Sequence, residues 1–245
     1  VIGLARAAAA FFLPSVCLAC GGGAGGRAPD LLAGGVCGDC WRALPPPGPG
    51  RCFRCDEALA ASPAPELCGR CLIAPPAFAS LRAAAPYAGS ARAILQAFKF
   101  RGADYLGPRM AERMLERLAD PGVDEVAAVP ATRRARRARG YHPAAVLARA
   151  VAAGLGVPFV PTRLAKVRDT EVQSGLPANR RAANVRGAFA VRAAPARRVL
   201  LVDDVATSGA TARECARRLA EAGSRCIFVW CFARASRQDL AGGAS

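Results

Sequence analysis

An α/β fold with a mainly parallel sheet, preceded by a small cysteine-rich unit, is what this 245-residue sequence predicts. Three observations carry that expectation. Eight of the eleven cysteines form four C-x-x-C pairs before residue 72. Beyond residue 76, short apolar runs alternate with helix-like stretches, the pattern of parallel strands joined by crossover helices. Residues 199–211, VLLVDDVATSGAT, pass from an apolar strand through two adjacent acids into a loop of small and hydroxyl-bearing residues.

Apolar residues make up 53% of the chain and charged residues 21%, a globular balance rather than a disordered one. The formal net charge of +16 is almost all arginine, because Lys99 and Lys166 are the only lysines. Such an excess fits a solvated arginine surface, and equally an anionic partner, whether a phosphate-bearing metabolite or nucleic acid. No uninterrupted apolar stretch reaches the roughly 18–20 residues of a spanning helix, so no transmembrane segment and a cytoplasmic protein are expected. The start, VIGLARAAAAFFLPSV, has one arginine and runs straight into cysteines, so residues 1–16 are expected to form a short amphipathic helix rather than a targeting signal.

The cysteine pairs are Cys17 with Cys20, Cys37 with Cys40, Cys52 with Cys55, and Cys68 with Cys71. A C-x-x-C turn aims two thiolates at one point, and a second pair completes a tetrahedral, all-sulfur shell for zinc. A disulfide framework would call for a secretory context, and a redox C-x-x-C occurs once rather than four times. Residues 17–75 therefore read as a double ribbon with two structural zinc sites; the spacing allows sequential or interleaved pairing. GGGAGG at 21–26 satisfies G-x-G-x-x-G but lies between metal-binding pairs, outside any strand–helix unit, and so carries no dinucleotide meaning. Neither lysine follows a glycine, which excludes a P-loop. LPPPGPG at 44–50 reads as a rigid spacer, and APPA at 74–77 marks the boundary to a second domain over 76–245.

Within that domain the expected strands are 126–130, 157–160, 199–202 and 226–232. A helix between the last two should face inward through Ala212, Cys215 or Ala216, Leu219 and Ala222, with Gly223 closing it. Ligands gather at the carboxyl ends of parallel strands, where a helix N-terminus offers free N–H groups. Asp203 and Asp204 should emerge there. Ala206, Thr207, Ser208, Gly209, Ala210 and Thr211 should then wrap one phosphate group with backbone amides and hydroxyls. Two carboxylates beside a phosphate must face something else, namely sugar hydroxyls or a magnesium ion; a phosphorylated sugar meets both demands.

VLLVDDVATSGAT resembles the phosphoribosyl pyrophosphate loop of type I phosphoribosyltransferases. That resemblance implies acids on the ribose hydroxyls and loop amides on the 5′-phosphate. PYAGSARAILQAFKFRG (86–102), VP-x8-RGYHPA (129–144) and KVRDTEVQSGLPANRRAANVRGAF (166–189), together with the cysteine ribbons, narrow the resemblance to the ComF family of competence-associated, phosphoribosyltransferase-like proteins. His142, the only histidine, stands where that family commonly has asparagine, and reads as a polar residue near a helix start. Lys166, Arg168, Thr170 and Gln173 resemble the mobile loop that closes over pyrophosphate, and Arg139 beside Gly140 is the candidate in the pyrophosphate loop after the 126–130 strand. The implied function is magnesium-dependent transfer of a phosphoribosyl group from phosphoribosyl pyrophosphate to an unidentified acceptor, linked to competence and DNA uptake or utilisation. The alternative is a non-catalytic module that binds single-stranded DNA or a competence-machinery protein through its ribbons and an arginine-rich face.

Overall fold

A computed structural model of the chain describes residues 16–22, 35–59, 66–168, 170 and 178–235. Two five-residue helices, α1 (Gly38–Arg42) and α2 (Gly69–Ile73), each begin directly after the first cysteine of a pair. The body then runs β1 (Ser80–Pro86), α3 (Gly89–Phe100), a 3-10 turn (Asp104–Leu106), α4 (Gly107–Arg117), β2 (Glu125–Ala128), α5 (Arg133–Arg139) and α6 (Pro143–Leu155). It continues through β3 (Leu164–Lys166), α7 (Ala178–Val185), β4 (Phe189–Val191), β5 (Arg198–Ala206), α8 (Ala210–Glu221) and β6 (Cys226–Arg234). The helix expected over residues 1–16 falls on residues 1–15, outside the described residues, except for Val16, which is not helical.

The main sheet has the order β1-β6-β5-β2 and every pairing is parallel, as the apolar runs separated by helices require. β5 lies inside it, with Leu200 opposite Phe228 on one side and Val126 on the other. Because side chains alternate along a strand, β5 feeds two cores. Leu200 and Val202 join Trp230, Phe232 and the apolar sides of α3, α4 and α6. Val199 and Leu201 join Ile227, Val229, Cys231 and the buried stripe of α8. A separate antiparallel pair, β3 with β4, lies beside the α8 layer.

Each cysteine unit belongs to a different core. Cys17, Val36, Trp41 and Leu44 pack with α3, α4 and α6, and Arg117 of α4 donates to Leu44 O, Pro45 O and Ala84 O at 2.9, 3.0 and 3.0 Å. Trp41 is buried there, and a core side chain of that size contributes about 3–5 kcal/mol against alanine. Cys52, Cys55 and Cys71 join the α8 core instead. Asp56 has φ 59, accepts from Arg51 Nε at 2.8 Å, and takes the Ala83 N–H at 3.0 Å, while Arg54 O takes the Leu81 N–H at 2.9 Å. These bonds occupy the outer edge of β1, which would otherwise present unpaired backbone groups.

Three expectations need correction, and one strand was unforeseen. Residues 157–160 make only a single bridge, Phe159 to Val126, because Pro158 has no N–H to extend the pairing on one side and the chain turns at Pro161 on the other. β5 extends to Ala206, so Asp203 lies within the strand, opposite Cys231, rather than beyond its end. Ala222 is exposed at the C-terminal cap of α8, not part of its inward stripe, whereas Ala212, Cys215, Ala216 and Leu219 are buried. Strand β1 was not anticipated, since its run of alanines lacks the β-branched signature of a strand. Among the described residues no helix is long and apolar enough to cross a membrane.

Candidate functional site

β5 ends on Asp203, Asp204, Val205 and Ala206, and the chain turns through Thr207, Ser208 and Gly209 into α8. Asp204 is buried and its carboxylate pairs with Lys99 Nζ at 2.7 Å, from the last turn of α3. Asp203 Oδ1 accepts the Asp204 N–H at 2.9 Å, and Asp203 makes no ion pair among the described residues. Burial first, and then the Asp204 carboxylate, push the Asp203 carboxyl up to about 7 against the opposing pull of Lys99 and the Asp204 N–H. Two acids thus share one lysine, and the pair is short of positive charge. A divalent cation fits that donor set.

Gly209 caps the N-terminus of α8 at φ 72, the left-handed region in which a side chain is strained even though the space around it is open. Ser208 is buried, and its Oγ accepts the Ala210 N–H at 3.3 Å. The loop carbonyls are held from behind: Arg70 Nη1 donates to Ser208 O at 2.5 Å and the buried Arg234 guanidinium donates to Thr207 O. In a trans peptide the C=O and the following N–H point in opposite directions, and no cis bond occurs in the described chain. Fixing those two carbonyls therefore turns the Ser208 and Gly209 amides away from the arginines, beside the N-terminal end of the α8 dipole, where an anion is favoured.

Arg139 ends α5, which Gly140 closes at φ 78, and its guanidinium lies 5.3 Å over the ring of the exposed Phe100. Arg139 and Lys99 line one cavity of about 320 Å³ with Phe100, Gly102, Ala135 and Ala138. The structure therefore brings Arg139 to the lysine that pairs with Asp204. Tyr141 stacks edge-on to Phe98 at 5.7 Å, and its buried hydroxyl has no partner among the described residues; burial and the carboxylates of Asp104 and Asp204 push it up to about 12 despite Arg139. His142 precedes α6, and its Nε2 donates to Val129 O at 2.9 Å, a positioning bond rather than part of a nucleophilic triad. Burial lowers its proton affinity.

Lys166 and Arg168 sit elsewhere, at β3 and just beyond it. Lys166 Nζ donates to Thr170 Oγ1 at 2.6 Å and lies 5.6 Å from the Phe189 ring centre. Arg168 donates to Asn184 O and Arg186 O at 2.8 and 2.9 Å, capping the carbonyl end of α7. Gln173 lies outside the described residues.

The pairing of the cysteines is sequential. The sulfurs of Cys17, Cys20, Cys37 and Cys40 lie within 4.8 Å of one another, as do those of Cys52, Cys55, Cys68 and Cys71. A tetrahedral site with Zn–S bonds of about 2.3 Å has S···S edges of about 3.8 Å. Cys17 to Cys40 is 3.8 Å and Cys55 to Cys68 is 3.6 Å, so both clusters have the dimensions to hold zinc. Burial opposes ionisation of Cys17 and Cys52, yet backbone N–H donors from Cys37, Cys20 and Ala19 on the first, and from Cys68, Cys55 and Arg54 on the second, pull both down to about 6. Burial and the neighbouring thiols push Cys40 upward.

Residues 142–241 match the phosphoribosyl transferase domain family, a span that contains the acid pair, the loop and α8. The DNA utilization protein YhgH of Salmonella typhi is 28% identical over 91% of this chain and 98% of its own. Competence protein F of Haemophilus influenzae is 29% identical over 69% of this chain and 78% of its own. These likenesses support a ComF-type phosphoribosyltransferase-like protein. Among solved structures, the glutamine phosphoribosylpyrophosphate amidotransferase of B. subtilis is similar at 22% identity and a TM-score of 0.36, covering 51% of this chain and 26% of that one.

Four residues around the site escaped sequence reasoning: Lys99, Arg70, Arg234 and Glu57. Each is far in sequence from the loop it serves, apart from Arg234, which was submerged in the general arginine excess. Lys99 carried the one usable signal, since it is one of only two lysines among 34 basic residues.

Proposed function

We propose that the protein binds phosphoribosyl pyrophosphate with magnesium at the β5–α8 junction and transfers its phosphoribosyl group to an acceptor nitrogen. The observation that carries this reading is the acid pair at the end of β5, set directly before a loop whose left-handed Gly209 opens α8. The loop 206–211 supplies amides and hydroxyls to the 5′-phosphate, and Asp203 and Asp204 accept hydrogens from the ribose hydroxyls. Arg139, which lines one cavity with Lys99, is the cation that would meet the pyrophosphate; Lys166 and Arg168 would join it only after leaving their present partners.

In the reaction the ribose C1–O bond to pyrophosphate breaks and a C1–N bond to the acceptor forms, the acceptor nitrogen giving up a proton. No protein nucleophile is needed, so the work of the chain is positioning and charge stabilisation. Magnesium, held with Asp203 and Asp204, would supply positive charge to the departing pyrophosphate. The two four-cysteine clusters would hold zinc as structural metal. Pyrophosphate release, assayed with magnesium over a panel of nucleobases, tests turnover: release with at least one acceptor is expected, and it should vanish in Asp203→Asn/Asp204→Asn. Binding of phosphoribosyl pyrophosphate without release for any acceptor would leave a sugar-phosphate sensor instead of a transferase.

A second reading rests on α5. Arg133, Arg134, Arg136 and Arg137 lie on a helix that contains no acid, and the exposed Phe100 ring lies under Arg139 at its end. That face suits a polyanion such as single-stranded DNA, in keeping with the DNA-utilisation and competence names of the relatives.

A further inference from the structure

Among the described residues, the second cysteine unit reaches the 206–211 loop and the first does not. Arg70, between Cys68 and Cys71, donates to Ser208 O at 2.5 Å. Arg213, in the first turn of α8, reaches back to Cys71 Sγ at 3.0 Å and to Ala74 O at 2.7 Å. Arg234, at the end of β6 and only 3% exposed, bridges Thr207 O and Glu57 Oε2, the latter at 2.6 Å; Glu57 follows Cys55 by two residues. Three arginines therefore join one four-cysteine unit to the loop or to the helix behind it. Among the described residues, no hydrogen bond or ion pair links the unit of Cys17, Cys20, Cys37 and Cys40 to residues 206–210.

We propose that the second four-cysteine unit is the rigid backing of the phosphate loop, with Arg70 and Arg234 as positioning residues, so that metal occupancy of this unit sets the loop's affinity for a sugar 5-phosphate. This backing role rests on the reading of 206–211 as a phosphate loop. A loop of amides binds an anion well only if its peptides are already oriented, because turning them on binding costs conformational entropy. Here the orientation is imposed through the carbonyls: Arg70 fixes the peptide that carries the Gly209 N–H, and Arg234 fixes the one that carries the Ser208 N–H. Arg70 in turn is placed by the C-x-x-C turn that contains it, and zinc holds such a turn. With the metal gone, Arg70 and Glu57 would lose their fixed origins and the peptides would be free to rotate.

The test uses the full chain loaded with zinc and ribose 5-phosphate as the probe, followed by titration calorimetry and by hydrogen exchange of the 206–211 segment. Arg70→Ala should weaken ribose 5-phosphate about tenfold, the scale of one charge-assisted hydrogen bond, and Arg70→Lys, which keeps a donor, should recover most of that loss. Cys68→Ser, which removes a ligand of the second cluster, should weaken binding at least as much and speed exchange across 206–211. Arg117→Ala, which loosens the first unit from α4, should lower the melting temperature yet leave the affinity within twofold. Equal weakening by Arg117→Ala and Arg70→Ala, or wild-type affinity in both Arg70→Ala and Cys68→Ser, would overturn the proposal. Failure of the wild-type chain to bind ribose 5-phosphate would count against the phosphate reading instead. Exchange would then decide the backing role: faster exchange at 206–211 in Cys68→Ser but not in Arg117→Ala supports it, and equal exchange overturns it.

Discussion

Asp203 and Asp204 have the same chemistry and adjacent positions, yet the fold treats them differently. Asp204 has Lys99 at 2.7 Å, whereas Asp203 is left with a backbone N–H and a like charge beside it. The Asp203 carboxyl, ordinarily near 3.8, is therefore pushed up to about 7 by burial and by Asp204. The folded chain then holds a proton there between about pH 4 and 7 that the unfolded chain has released. Stability should fall as pH rises through that window and level off above 7, and Asp203→Asn, which cannot titrate, should lack the decline. Melting temperatures across pH 4–8 check this: the two proteins should diverge by a few degrees toward pH 7, and parallel profiles would contradict the assignment. The acid pair was legible in the sequence because an apolar strand, two acids and a small-residue loop are contiguous. Lys99 was not, since its partner is set by the packing of α3 against the sheet and by nothing local to it.

At the scale of elements, the strand–loop–helix unit β5–α8 was readable because both its apolar runs and its glycine sit where their periodicities require. β1 was hidden by alanines that are buried for space rather than for β-propensity, and the 157–160 strand was promised by valines but cut to one bridge by Pro158 and the turn at Pro161. α5 was visible as an arginine run, but only the structure shows that Thr132 Oγ1 caps it at 3.0 Å and that no residue of it is buried. If that face meets single-stranded DNA, each phosphate contact contributes about 0.7 to the slope of log affinity against log salt. Replacing Arg133, Arg134, Arg136 and Arg137 by alanine should then reduce the slope by up to about 3 while leaving sugar-phosphate binding within twofold. An unchanged slope in a filter-binding titration from low to moderate salt would remove α5 from the interface.

For the molecule as a whole, the two cysteine units are unequal partners of one sheet. The first extends the core formed with α3, α4 and α6; the second seals the open edge of β1 and holds the 206–211 loop through Arg70. Their cysteine spacing announced two tetrahedral clusters, and sequential pairing emerged from geometry that spacing alone left open. Nothing in the spacing could show which core each would join, because that depends on Trp41, Arg117, Asp56 and Arg70 meeting surfaces far along the chain. The proposed function turns on whether the end of β5 and the loop behind it receive a phosphorylated ribose. Its most direct test is calorimetric titration of phosphoribosyl pyrophosphate with magnesium into the full chain and into Asp203→Asn/Asp204→Asn. One site per wild-type chain, weakened at least tenfold in the double variant, is the predicted result; no heat in the wild type, or equal affinity in the two proteins, would contradict it.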